Sequence, residues 1–500
     1  MIVGESTAKD WFYKGEGAAN LTKQCQFDVF MKQVGKVLRI QKIPNKKTLS
    51  AHKGLDLSNH EKLIWKDVGE ILESATRDFA SRAFIQHVMA DLLNSKHIDA
   101  GVNFFGAILF YFLMYYVFGV AAAFIFLSMY IFNAYHKIVP WDHDTFSTIS
   151  GTPKCDFSIA VEIKPKCGFL PSSEYITEAN AIKKNATRFK MHQFLKHHRG
   201  EVTLVPVIIL QISGYNPLDL FSGSRDRILQ AIVALFESPQ NNFRIFFDGS
   251  LVFGGLGGGL DNTTEQFNNS KEAIANLIAS SGLQLASFFE LVAETGFRSG
   301  IFDRLLATQK LDVLDIEGAI HLYYNIISQP CPICKNLSNM KVLHKYSSLH
   351  SLPLEKSMKI VREYLISATA KDCSLMISFR PSELGCTTSN YDSVFLRSSN
   401  QTYAYKGILS AGELVAPQPI QFLNQLVFFF LIIAFSILAG LQILHPFGFT
   451  SYYRSDLVCF CFQAFFIDLD LKPLDKMFHY YELDQKIVNF YKMNQEIEQK

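Results

Sequence analysis

Residues 161–171 read "VEIKPKCGFLP". The lead Val161-Glu162-Ile163 alternates apolar and polar side chains as a strand does, and Pro165 fixes the backbone between two lysines. Alternation would put Glu162, Lys164 and Lys166 on one face, so that two ammonium groups could converge on one anionic target. Two solvated surface lysines would be spelled the same way, so the rest of the chain has to decide between the two readings.

Working outward, strand and helix patterns occur on both sides. Within residues 10–42, "DWFYKGEGAANL" and "GKVLRIQK" read as two strands around a glycine-containing turn. Residues 61–95 have helical period, with Leu63, Ile64, Val68, Ile71 and Leu72 on one face. Residues 174–198 also read as helical and carry Arg188, Lys190 and Lys196. A helix starting near Ser224 has Ile228, Ile232 and Leu235 as its apolar stripe. "NNFRIFFDGSLVF" is a strand pair turned by Asp248-Gly249. Residues 355–370 form an amphipathic helix, followed by Asp372 and the strand "SLMISF", and a helix over 474–492 closes the chain. No internal repeat is visible. The expected class is α+β, with a sheet-rich first lobe over residues 1–163 and a larger helical second lobe over 164–500.

Composition narrows the functions available. The 500 residues hold 48 Lys+Arg and 46 Asp+Glu, a net charge of +2. Such a balance excludes a polyelectrolyte binder such as a nucleic-acid protein, so any basic function is a local cluster. Mean hydropathy is +0.12. Two uncharged stretches, 103–135 and 426–444, account for much of it, and each reaches the length of a membrane-spanning helix. The opening "MIVGESTAKDWFYKGEG" is too polar for a signal peptide. Nine cysteines without a secretory start indicate a reducing compartment, cytoplasmic or nuclear.

Those cysteines include a metal-ligand pattern. "HLYYNIISQPCPIC" followed by "SSLHSLP" offers His321, Cys331, Cys334 and His350 to a tetrahedral structural zinc ion, with His344 as the competing fourth ligand. Four protein ligands leave no open position, so the ion would tie down a loop and take no part in catalysis.

Several motifs together carry a resemblance. "VEIKPKCGFLP", "RFKMHQFLK", "YNPLDLFSGS", "PQNNFR", "QPCPIC" and "EYLISATAKDCS", with "DWFYKGEGAANL" and "IDLDLKPLDKM", are similar to the plant-type inositol-pentakisphosphate 2-kinase family, in family order. The resemblance implies a two-lobed inositol-polyphosphate kinase that moves the γ-phosphoryl of ATP to the 2-hydroxyl of inositol pentakisphosphate. It implies Lys164 at the reacting groups and a substrate cage of Lys164, Lys166, Lys196, Asn241, Lys472, Lys476 and Tyr480. Lys476 stands where the family has arginine, so the charge is kept and the bidentate fork is lost. For ATP it implies Gly17, Ala18, Ala19 and Asn20 over the phosphates, with Arg39, Asp142, His143, Glu162 and Arg244. Asp372 and Asp468 would hold Mg2+, and Asp372 would also accept the hydroxyl proton. A second metal, Zn2+, would occupy the Cys/His set, and the chain is expected to be a monomer.

The pattern also breaks in places. The stretch 103–135 stands where the family has polar sequence with a substrate-gripping arginine. Residues 407–466, including 426–444, look inserted. Such blocks would be either membrane spans or translated non-coding sequence. They allow two alternatives to the kinase reading: a binding homologue without turnover and a membrane-anchored variant.

Overall fold

The computed structural model describes residues 11–16, 20–25, 37–41, 56–98, 158–199, 213–254, 264–280, 283–335, 340–382, 392–399, 404–410 and 457–498. The apolar stretches 103–135 and 426–444 lie outside them, as do Gly17, Ala18, Ala19, Asp142 and His143.

Three strands open the chain as an antiparallel sheet: β1 (Trp11–Glu16), β2 (Asn20–Cys25) and β3 (Val37–Gln41). Sequence reading finds two of these. The strand β2, "NLTKQC", has one strongly apolar residue before its cysteine, so no period marks it and only pairing on both sides makes it a strand. Helix α1 (Asn59–Ile64) starts at a capping box in which Ser58 and Glu61 satisfy each other's backbone N–H groups. The chain then breaks at Trp65–Val68, makes one helical turn over Gly69–Leu72 and breaks again before α2 (Arg77–Phe84), which continues through a π turn into Ala90–Leu93. The first break resets the helical phase. Ile64 and Ile71 are buried, but Leu63 and Leu72, expected on the same face, are exposed.

The larger sheet has seven strands, all antiparallel, in the order β6-β5-β4-β7-β10-β8-β9. The decisive stretch forms β4 (Ile159–Ile163), every residue of which is buried. The hairpin β5 (Phe243–Phe247) and β6 (Ser250–Phe253) turns at Asp248 (φ 45°) and Gly249 (φ 74°), the paired positive angles of a type I′ turn. Strands β7 (Ser374–Ser382), β8 (Asp392–Ser399), β9 (Ala404–Ser410) and β10 (Leu457–Ile467) complete it. Two expectations change here. Strand β4 lies in the part expected to be sheet-rich and β5 to β10 in the larger helical and mixed part, so one sheet runs across the boundary expected at residue 163. Residues 457–466, read as part of an insertion, form an interior strand between β7 and β8. From Phe460 to Phe466 its side chains are buried or half-buried on both faces, which accounts for an apolar run without alternation.

Helices α3 (Arg188–His198), α4 (Arg225–Glu237), α5 (Thr264–Ser280), α6 (Leu285–Arg298), α7 (Ile301–Gln309), α8 (Asp315–Ile326), α9 (Met340–His350), α10 (Leu354–Ala370) and α11 (Met477–Glu498) surround this sheet. One core joins sheet and helices, with Phe288 of α6 edge-on to Phe379 of β7 at 6.1 Å. A smaller core locks α3 to α11 through Phe194 and Tyr491, 5.0 Å apart. Among the described residues, no helix is long and apolar enough to cross a membrane.

Candidate active site and metal centre

Strand ends gather the polar residues at one rim of the larger sheet. Strand β4 finishes at Ile163, opposite Phe243 of β5 and Leu375 of β7. Strand β10 finishes at Ile467, opposite Ser374. Antiparallel pairing thus brings Lys164 past β4, Asn241 before β5, Asp372 before β7 and Asp468 past β10 to the same place. Lys164 Nζ lies 3.7 Å from Asp468, Lys166 Nζ lies 3.9 Å from Asp372, and Lys472 Nζ lies 2.8 Å from Asp372.

Proline explains how the strand ends. The last ladder bond runs from the Lys164 N–H to the Asn242 carbonyl at 2.8 Å, and Pro165 has no N–H to continue it. Lys166 then turns into the left-handed region at φ 65°, and Asp468 does the same at φ 61°, conformations that non-glycine residues seldom adopt. Strand alternation therefore stops at Lys164. Lys166 reaches the same carboxylates through the turn, not by sharing a pleated face.

The turn is held from behind by groups that sequence reading missed. Tyr215 Oη donates to the Pro165 carbonyl at 2.7 Å. Gln309, at the end of α7, bonds the backbone on either side of Cys167. Gly168 packs so closely on Phe221 that a Cβ there would lie 2.1 Å from the ring. The loop after β10 is tied by Thr369 Oγ1 donating to the Asp470 carbonyl at 3.1 Å. It is tied again by the Leu474 N–H donating to Glu61 at 3.1 Å, and Glu61 in turn takes a forked contact from Arg77. Gln309 carries no motif, and Tyr215 opens "YNPLDLFSGS" without showing its role there, since a buried hydroxyl or amide that serves backbone carbonyls looks like any other polar residue in sequence.

Electrostatics follow from this crowding. Crowding at the rim strips some water from the exposed Asp372 carboxyl and would raise it, but Lys472 and Lys166 outweigh this and hold it below its ordinary value. Burial lowers the Lys166 ammonium, and Lys164 and Lys196 add repulsion against the pull of Asp372. Lys472 is raised because Asp372 overcomes its burial. His192 is pushed down to about 3 by burial and by Lys196, Arg188, Lys166 and Arg199, so a neutral imidazole sits among four cations. Burial raises the Tyr480 phenol, with Lys472 and Asp372 both within its field. Glu162 pairs with Arg244 at 2.7 Å across β4 and β5. Asn241 Oδ1 has no partner among the described residues. Lys476 is exposed on the turn Leu474–Lys476. Asn20 opens β2 opposite Gln41, and Arg39 lies in β3 opposite Thr22.

The Cys/His set is assembled separately, on α8, the knuckle Pro332–Lys335 and α9. His321 Nδ1 lies 3.2 Å from His350 Nε2, 3.5 Å from Cys331 Sγ and 3.4 Å from Cys334 Sγ. Cys334 Sγ to His350 Nε2 is 3.3 Å. Zinc bonds of about 2.0–2.3 Å in a tetrahedron place ligand atoms roughly 3.3–3.8 Å apart, so the four atoms fit such an ion. Burial and the neighbouring Cys331 push the Cys334 thiol up to about 12, and a dication is what would favour the thiolates. His344 is exposed and outside the set. Asn325 Oδ1 accepts from His350 Nδ1 at 2.8 Å, orienting Nε2 toward the cysteines, a supporting partner that the sequence did not reveal.

An α+β chain that ends its strands in lysines facing paired carboxylates belongs, as a class, with enzymes that handle phosphate groups. The family model of inositol-pentakisphosphate 2-kinase matches residues 13–104 and 136–486. The chain is 46% identical over 499 residues to inositol-pentakisphosphate 2-kinase IPK1 of Oryza sativa subsp. indica, covering 99% of this chain and 96% of that protein. It is 38% identical over 524 residues to inositol-pentakisphosphate 2-kinase of Arabidopsis thaliana, covering 100% and 96%. The chain belongs to the inositol-pentakisphosphate 2-kinase family. The family match skips 105–135, within the apolar stretch 103–135, and continues through 407–466.

Proposed function

We propose that this chain transfers the γ-phosphoryl group of ATP to the 2-hydroxyl of inositol pentakisphosphate, giving inositol hexakisphosphate. The observation that carries the reading is the gathering of Lys164, Lys166 and Lys472 around Asp372 and Asp468 at one sheet rim. A ring bearing five phosphates needs many cations, and phosphoryl transfer needs alignment and charge neutralisation more than covalent chemistry.

In this reading Lys164 faces the moving phosphoryl group. Lys166, Lys196, Asn241, Lys472, Lys476 and Tyr480 hold the ring phosphates. Residues Gly17 to Asn20, Arg39, Asp142, His143, Glu162 and Arg244 serve the nucleotide. Asp372, ionised at neutral pH, accepts the hydroxyl proton. Asp372 and Asp468 also supply the oxygens for Mg2+, which neutralises charge on the phosphates when bound. The smaller sheet and the larger unit form two lobes around the nucleotide. The purified chain, given Mg2+, ATP and inositol pentakisphosphate, should yield inositol hexakisphosphate on anion-exchange chromatography. Calorimetric binding without product would mark a binding-only homologue, and neither binding nor product would defeat the reading.

The Cys/His set is assigned to zinc as a structural ion. Elemental analysis should give one zinc per chain. Chelation should lower the melting temperature by about 10 °C, since a structural zinc contributes on the order of 10 kcal/mol and each kcal/mol lost shifts Tm by about 1 °C in a chain of this size. The variant Asn325→Ala should loosen the metal about tenfold. Unchanged melting on complete metal removal would rule out the structural role.

A further inference from the structure

We infer that Gln309 is a positioning residue that sets the spacing between the substrate lysines and Asp372, an inference that rests on the kinase reading above. Its side chain is fully buried. Nε2 donates to the Lys166 carbonyl at 2.8 Å and to the Ala370 carbonyl at 3.1 Å. Oε1 accepts from the Gly168 N–H at 2.8 Å. One primary amide therefore uses both donors and its acceptor on two segments far apart in sequence. The first is the turn that aims Lys164 and Lys166. The second is the end of α10, two residues before Asp372.

The arrangement has a physical purpose. Lys166 sits at φ 65°, a strained conformation that persists only where the surroundings hold it. The Gln309 amide grips the peptide groups just after that residue, and Tyr215 grips the carbonyl just before it. Because the same amide holds Ala370, any slip of the turn relative to α10 breaks one of its bonds. Among natural side chains of this volume only glutamine offers two donors and an acceptor. Glutamate keeps the acceptor and would face two carbonyls with lone pairs, and methionine keeps the volume alone.

The test compares Gln309→Met and Gln309→Glu with Ser367→Ala. Ser367 is also fully buried and donates to the Gln309 main-chain carbonyl, so its loss loosens the same seam without touching the amide. Both Gln309 variants should lose about 100-fold in kcat, the scale of an ångström misplacement, with KM for ATP within about twofold of the parent. Binding of inositol hexakisphosphate by calorimetry should weaken about tenfold, whether or not turnover is measured, because Lys166 is displaced. Ser367→Ala should keep kcat within about twofold despite a lower melting temperature. If Gln309→Met fails to fold, Gln309→Glu decides. A folded Gln309→Glu with parental kcat and parental hexakisphosphate affinity overturns the inference, as does an equal loss of kcat in Ser367→Ala. A parent chain with no turnover would instead defeat the kinase reading, and the binding comparison would still judge Gln309.

Discussion

Asp372→Asn is expected to lower turnover of inositol pentakisphosphate about 10³-fold, the scale of losing a positioned general base together with a metal oxygen. Stability should hardly move, because the Asp372 side chain is 62% exposed and exposed ion pairs are worth at most about 1 kcal/mol. The pH dependence has a definite sign. Lys472 and Lys166 hold the Asp372 carboxyl below its ordinary value, so the folded chain keeps it ionised at pH values where the unfolded chain has begun to protonate it. Its contribution to stability is therefore complete above the unfolded pKa, about 3.9, and is lost as pH falls through the lower folded value. The acid limb of kcat/KM should likewise lie below the ordinary carboxylate range. Turnover by Asp372→Asn within tenfold of the parent would remove the residue from the chemistry.

Much of this site was legible because its pieces are local words. The Lys-Pro-Lys turn, the Asp248-Gly249 hairpin and the helix that delivers Asp372 each show their structure within a dozen residues. Their convergence was not legible from spacing, since the order β4-β7-β10 joins segments as far apart in sequence as Lys164 and Asp468. Strand β10 was hidden for a second reason. Its uninterrupted apolar run reads as foreign beside an apolar stretch long enough to span a membrane, yet an interior strand needs that composition. Lys166 shows the limit of periodicity. The expected convergence of its amine holds, but through a left-handed turn that only the fold can stabilise. The buried amides and hydroxyls behind the turn were invisible because a residue that serves main-chain carbonyls needs no particular neighbour in sequence.

The largest effect on stability is expected from Lys183→Met, a residue no motif touches. Its ammonium is 96% removed from solvent and meets three carboxylates: Asp315, Glu317 at 3.2 Å and Asp484 at 2.7 Å. Arg188 adds a second cation at Asp484. The Lys183 ammonium ties the 3-10 turn Glu178–Lys184 to α8 and to α11, the helix bearing Tyr480, and Arg188 ties α3, the helix bearing Lys196, to the same Asp484. Methionine matches the stem and leaves three buried acids facing one arginine. Breaking a buried ion cluster from one side costs about 3–5 kcal/mol, because the remaining charges are neither solvated nor paired. Acid should relieve the defect. Burial already lifts the Asp315 carboxyl to about 6 even beside Lys183, and without the ammonium the folded variant would bind protons that the unfolded chain does not. Where the folded state holds more protons, stability rises as pH falls, so the gap between Lys183→Met and the parent should narrow from pH 7 to pH 5. Urea denaturation at the two pH values measures both quantities. A loss under about 1 kcal/mol at pH 7, or a gap that widens toward pH 5, would show that the three carboxylates do not depend on this lysine for their neutralisation.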